Sequence, residues 1–302
     1  MISNLNATNS EFLANLNAIK VRMDRAQKQL TTGLRINDAS DSPDQISELL
    51  SARSSLASTQ TTNQNLSRVK TEVDSAEAAL GQASTAIEQA RVLGTQGANT
   101  TTSADTRKTL GDQIGSLIEQ LVGISRTTVE GRYVFSGDSD QTPSYTVDLT
   151  QPNPISNYQG SPNATRQVQH PNGTTFTLAE TAQQIFDAPS ASDSVFSSLT
   201  ALRSALLNND TAGISSALDT LGTASTYFER QHANYGTAQN RVAEATTYGA
   251  SLELNLQTQI GSIQDADLTQ SILELQQSQT AQKAALQSKA SITPQSLFDF
   301  LR

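Results

Sequence analysis

Apolar residues recur three and four positions apart at both ends of the chain. Near the N-terminus Phe12, Leu16, Ile19, Met23, Ala26 and Leu30 keep this rhythm. Near the C-terminus Leu268, Ile272 and Leu275 repeat it, and Leu286 falls in the same frame. A sustained repeat of this kind is the seam of a helix that packs lengthwise against another helix. The two stripes are expected to meet each other, or their copies in neighbouring subunits. The first helix is predicted over about residues 10–31, ending where Gly33 suits a left-handed cap. Ser42-Pro43-Asp44-Gln45 then predicts a helix start, with Ser42 as cap, Pro43 in the first turn and Gln45 closing a capping box.

From there a helix is predicted to continue to about Leu93 through Leu66, Val69, Val73, Ala76, Leu80, Ala83, Ile87 and Ala90. Gly94, Gly97 and Asn99 predict a turn, and Leu110, Ile114, Leu117, Leu121 and Ile124 a return helix. The texture changes at Arg132. Tyr133-Val134-Phe135, Tyr145-Thr146-Val147 and the stretches 155–158, 166–169 and 174–178 alternate like strands, punctuated by prolines, with Asn172-Gly173 as a hairpin turn. Helix returns over about 194–207, and Asp210 can cap the next. One heptad frame then takes in Ile214, Leu221, Phe228, Tyr235, Val242, Leu256 and Ile263, but Ser225, His232, Gln239 and Thr246 put polar groups on the same seam. That stretch reads either as one long helix or as several shorter ones.

The fold expected from this pattern is mainly α: a long antiparallel helical bundle or coiled coil formed by both chain ends, with a small β-rich inserted domain. Three parts are expected: terminal helical layers at 1–42 and 265–302, long helices at 43–131 and 191–264, and an insertion at 132–190. Composition narrows the function classes. Apolar residues are 36% and aromatics 5% of the 302 residues, which suits long, narrow helical packing better than a thick globular core. A net charge of −9 argues against a nucleic-acid groove, and no cysteine is present for disulfide, thiolate or zinc chemistry. No apolar run reaches the roughly 18 residues of a membrane span. The first residues lack the basic and apolar regions of a cleaved signal peptide.

Catalytic constellations are not found. His170 and His232, the two histidines, fall in regions predicted to differ in structure and outside any metal-ligand spacing. Asp38, Asp41 and Asp44 are read as turn and helix-cap residues before a cation site, and Asp138-Ser139-Asp140 lacks the rest of a calcium loop. Phosphate-cradling glycine motifs are missing. No catalytic residue, metal ligand or cofactor is therefore assigned.

Leu30-Thr31-Thr32-Gly33-Leu34-Arg35-Ile36-Asn37-Asp38-Ala39-Ser40-Asp41 resembles the signature of the flagellin superfamily of bacterial flagella. The resemblance covers roughly 1–135 and 195–302. Gly131-Arg132-Tyr133-Val134-Phe135-Ser136-Gly137 and the ending Ser296-Leu297-Phe298-Asp299-Phe300-Leu301-Arg302 are more similar to its hook–filament junction branch than to flagellins. The resemblance implies a structural, non-enzymatic protein exported through the flagellar type III apparatus without a cleaved signal, aided by an export chaperone. It would assemble with itself in a ring between hook-associated protein 1 and the flagellin filament, with no nucleic-acid or membrane partner. The alternative it implies is a filament subunit. Assembly would fall to Phe12, Leu16, Ile19, Met23 and Leu30 on one side and Leu268, Ile272, Leu275, Leu286, Leu297 and Phe300 on the other, with Arg35 and Asn37 fixing the connection between layers. A signalling rod of the chemoreceptor kind shares the Ala-, Ser-, Thr- and Gln-rich heptads, but the proline-rich insertion counts against it.

Overall fold

A computed structural model describes residues 2–162, 164, 167–178, 180–188, 190 and 193–291. Its elements in chain order are α1 (Ile2–Thr32), α2 (Ile46–Ala98), α3 (Ala104–Ser125), β1 (Thr128–Val129), β2 (Arg132–Tyr133), β3 (Gln167–Gln169), β4 (Thr175–Thr177), α4 (Ala182–Phe186), α5 (Val195–Leu207), α6 (Thr211–Gln264) and α7 (Leu268–Ser291). The chain is thus mainly helical with two small antiparallel hairpins, β1–β2 and β3–β4. It forms two compact units, a terminal unit of residues 1–58 and 253–302 and a central unit of residues 59–252. These limits fall inside α2 and α6, whereas the sequence reading placed its boundaries in the turns after residues 42 and 264.

In the central unit α2 and α6 run antiparallel. Every seventh residue of α2 from Leu66 (Leu66, Val73, Leu80 and Ile87) is buried, as are Ile214, Leu221, Phe228, Tyr235 and Val242 of α6. The heptad frame is therefore the seam, and α6 is one continuous helix. Two of its four polar seam positions are matched across the interface. The Gln239 amide donates to Asp74 Oδ1 at 2.8 Å. His232 Nε2 lies 3.4 Å from Glu77 Oε1. Thr246 donates its hydroxyl to the Val242 carbonyl one turn back at 2.8 Å, and Ser225 is buried. A buried polar group with its partner in place costs little, so the frame tolerates them.

Two glycines correct the predicted end of α2. Gly94 and Gly97 lie within the helix, which runs on to Ala98. A Cβ on Gly94 would stand 2.6 Å from Leu218 Cδ2, and one on Gly97 would overlap Leu206 Cδ2. Both glycines serve close helix packing, a use that outweighs their low helix propensity. Gly97→Val should lower the unfolding free energy by about 2 kcal/mol, because the overpacked core must shift. Urea unfolding of the whole chain measures this, and a change below about 0.5 kcal/mol would mean that Leu206 simply moves aside.

Among its described residues, the stretch predicted as β-rich is sparsely paired. Val168 faces Phe176 in the β3–β4 hairpin, Val147 bridges Ile155, and the remaining predicted strands have little ladder. The Tyr133-Val134-Phe135 strand shrinks to Arg132–Tyr133 opposite Thr128–Val129. What anchors the segment is aromatic packing. Phe135 meets Phe186 edge-on at 6.4 Å and Tyr235 at 5.9 Å, and Tyr145 meets Phe196 at 5.0 Å. The few aromatics of this chain are concentrated where the insertion plugs into the helices. Helix α4 was not anticipated. Thr181 caps it, and Gln184 completes the capping box.

Candidate assembly interface

In the terminal unit α1 and α7 pack against each other along their lengths. They run antiparallel: Ser271 Oγ donates to Gln29 Oε1 at 3.1 Å near one end, and the Lys289 ammonium donates to Asn9 Oδ1 near the other. Lys289 also sits over the Phe12 ring, 5.4 Å from its centroid. Phe12, Leu16, Ile19, Met23 and Leu30 are half-buried and Ala26 is fully buried, so the N-terminal stripe faces α7 as the spacing required.

On α7 the predicted stripe and the face turned toward α1 differ. Leu268, Ile272 and Leu286 are 49%, 48% and 50% exposed, and Leu273 beside them is 54% exposed. The residues turned inward are Ser271 and Ser278, at 3% and 6%, with Leu275 half-buried between them. The 271, 275, 278 spacing is itself a four-three rhythm, carried mostly by serine. Small side chains let two helices approach closely, which a hydropathy pattern does not register. Of the predicted C-terminal stripe, Leu275 alone packs inward. Leu297 and Phe300 lie outside the described residues.

The turn after α1 is fastened to the turn before α7. Gly33, at φ +72°, donates its N–H to the Gln29 carbonyl and closes α1 as the sequence indicated. Its own carbonyl accepts from Ala266 N at 2.9 Å, Arg35 N donates to the Gln264 carbonyl at 2.6 Å, and Leu34 and Asp265 form an antiparallel bridge. The Arg35 guanidinium donates to Gln45 Oε1 at 2.6 Å and to the Ile263 carbonyl. Gln45 is therefore engaged by Arg35 rather than in the expected capping box, and Ser42 contributes its carbonyl, which accepts from Gln45 N and Ile46 N. Asn37 donates from its side chain to the Leu34 carbonyl at 2.7 Å. Beneath the turn Ile36, Leu49 and Ile263 form a small core.

Several contributors were not anticipated. Arg53 donates to the buried Gln264 side chain at 2.7 Å. Asp267 caps α7, accepting from Thr269 N at 2.9 Å and Gln270 N at 3.1 Å. An aspartate just before an apolar-periodic run is a start signal, so Asp267 was legible. Gln264 carried no local signal. Of the three aspartates, Asp41 accepts from the Asn37 and Asp38 amides at 3.0 and 2.9 Å, and Asp38 pairs with Lys28 at 2.5 Å. Among the described residues no group of three or more His, Cys, Asp or Glu is placed to hold a metal ion, and no helix is long and apolar enough to cross a membrane.

The Asp38 amide, then that of Asn37, holds the Asp41 carboxyl below its ordinary value of 3.8, with burial opposing and Arg25 and Lys28 assisting. A carboxyl lowered in the folded chain contributes stability that is fully present above its ordinary value and is lost as the pH falls through the lowered one. The amides of Asn37 and Asp38 should therefore lose protection from hydrogen exchange below about pH 4, while those of mid-α2 are retained. In Asp41→Asn the turn should already be loose at neutral pH. Protection that is insensitive to acid would show that the backbone bonds suffice alone.

Two family models match the chain: the bacterial flagellin N-terminal helical region over residues 2–140 and the bacterial flagellin C-terminal helical region over residues 218–301. The chain is similar to flagellar hook-associated protein 3 of Escherichia coli, at 25% identity with 90% of each chain covered. It is also similar to flagellin of Bacillus subtilis, at 25% identity with 96% of this chain and 97% of that one covered. Its fold is like that of flagellar hook-associated protein 3 from Legionella pneumophila, with a TM-score of 0.59 and 13% identity over 72% of this chain and 99% of that one.

Proposed function

The chain belongs to the flagellin family, and on that premise we propose that it is a structural, non-enzymatic subunit of the bacterial flagellum acting at the hook–filament junction. It polymerises through α1 and α7 into a ring, with hook-associated protein 1 below and the flagellin filament above. It leaves the cell unfolded through the flagellar export apparatus, with a chaperone covering its C-terminal region. In the assembled ring the segments 1–42 and 265–302 form the inner layer, 43–131 and 191–264 the next, and 132–190 faces outward.

One observation carries the assembly reading. Leu268, Ile272 and Leu286 on one side of α7, with Leu273 further round the helix, are about half exposed. Apolar side chains left half open by the described residues gain cover on polymerising, which couples ordering to assembly. The junction position rests on the likeness to hook-associated protein 3 over nearly the full length of both chains. The equally long likeness to a flagellin supports the second reading, a filament subunit. Electron microscopy of cells lacking the gene separates the two. Bare hooks with flagellin released into the medium are expected for a junction protein, and loss of the filament without released flagellin for a filament subunit. Deleting residues 268–302 should abolish incorporation while leaving the central unit folded by circular dichroism. A truncated chain that still enters flagella would overturn the role of α7.

A further inference from the structure

Asn172 is the one asparagine of this chain followed by glycine. It stands exposed at the tip of the β3–β4 hairpin. Here His170 accepts from Gly173 N at 2.8 Å through its carbonyl, and its Nδ1 accepts from Asn172 N at 3.1 Å. Gly173 has φ +91°, a conformation other residues resist. The Asn172 side chain is not free to rotate. Its Oδ1 accepts two hydrogen bonds from Thr174, from the amide at 2.9 Å and from the hydroxyl at 2.7 Å. The side-chain carbonyl is thus polarised by two donors, next to a backbone nitrogen that carries no side chain to obstruct its approach.

We propose that Asn172 is a self-modification site of the folded protein. The Gly173 nitrogen attacks Asn172 Cγ and loses its proton to a solvent base. The negative charge that develops on Oδ1 falls where the two Thr174 donors already point, so they stabilise the transition state more than the ground state. The Cγ–Nδ2 bond then breaks, and the nitrogen takes a proton from water and leaves as ammonia. Water opens the resulting succinimide at Cγ to give aspartate, or at the main-chain carbonyl to give isoaspartate, which adds one carbon to the backbone.

Asn99 is held in the same way, its Oδ1 accepting from the Thr101 amide at 3.0 Å and hydroxyl at 2.9 Å, but the nitrogen that follows belongs to Thr100, whose branched side chain obstructs the approach that Gly173 leaves open. The Asn37 side-chain amide donates to the Leu34 carbonyl, and the following nitrogen belongs to Asp38, which carries a side chain where Gly173 has none. Asn209 Oδ1 accepts from Arg107, but the next nitrogen belongs to Asp210, which carries a side chain where Gly173 has none. The change at Asn172 has a local consequence. His170 lies against Tyr248, 5.2 Å between ring centroids, and a Cβ on Gly249 would stand 3.1 Å from Pro171 Cγ, so the tip is seated on α6. Isoaspartate lengthens that tip, and either product adds a negative charge beside it. The hairpin then loosens from α6 slowly and in one direction.

The test is peptide mapping of the whole purified chain during incubation in mildly alkaline buffer, reading the amide-to-acid mass shift and isoaspartate at each asparagine. Conversion is expected first at Asn172, and about fivefold more slowly in Thr174→Val, which removes one of the two donors. If the hairpin instead protects Asn172, loosening it in Thr174→Val leaves the rate unchanged or raises it, and the proposal fails. It fails equally if another asparagine converts ahead of Asn172.

Discussion

Replacing Ile272 by glutamate should abolish incorporation of this protein into flagella and leave the isolated chain as stable as before. In the single chain Ile272 is 48% exposed, on the flank of α7 beside the face that meets α1. Surface substitutions of this kind change stability by about 0.5 kcal/mol or less. Once a neighbouring subunit covers that flank, the same carboxylate is withdrawn from water with no cation to meet it. That costs several kcal/mol for each contact, and the cost recurs around a ring. Thermal unfolding of the purified variant and electron microscopy of cells expressing it are the paired measurements. Filaments of normal number on Ile272→Glu cells would show that this face stays in water. A large loss of monomer stability would show that α7 packs by its apolar row after all. A contrasting outcome is expected for Ser271→Leu. It crowds the inward face against Gln29 and so weakens the α1–α7 pair in the monomer.

The largest expected effect on the central unit comes from Arg107, which the sequence did not single out. It is 6% exposed, and its guanidinium is spent on three neutral acceptors. Nε donates to the Gly97 carbonyl at 2.8 Å, Nη2 to the Asn99 carbonyl at 2.9 Å and Nη1 to Asn209 Oδ1 at 2.6 Å. The cation thus closes the C-terminal end of α2, where the helix dipole favours positive charge, and ties it to the turn between α5 and α6. Arg107→Ala removes the side chain's packing and leaves without their donor the buried Gly97 carbonyl, worth about 1–3 kcal/mol, and two part-buried acceptors, the Asn99 carbonyl and Asn209 Oδ1. The unfolding free energy should fall by about 3 kcal/mol or more, read as a lower urea midpoint with an unchanged slope. Lysine should recover less than half, because a point charge cannot reach three acceptors set apart by a planar fork. A loss below about 1 kcal/mol would mean that water replaces the guanidinium without penalty.

The helices and their seams were legible because burial on one face of a helix imposes a period that survives any tertiary detail. The frames running from Leu66 to Ile87 and from Ile214 to Val242 are buried as spaced. The Gly33 cap and the Asn172-Gly173 turn were legible for a related reason: a positive φ restricts the residue locally. The family signature, too, could be read from 30–41 without coordinates.

Tertiary structure alone decided how those faces are used. Periodicity says that α7 has an apolar row, but not whether that row or its neighbour meets α1. The neighbour is chosen because Ser271 and Ser278 let the helices approach and because Ser271 finds Gln29. Gly94 and Gly97 read as a turn until Leu218 and Leu206 are seen to need their space. Gln45 reads as a cap until Arg35 reaches it. Arg107 looks like any helical arginine until the end of α2 closes over it. In each case the deciding term is a contact with a residue brought close by folding. A one-dimensional pattern carries the amphipathicity of each segment, and the choice of partner is made by steric fit and hydrogen bonds between segments.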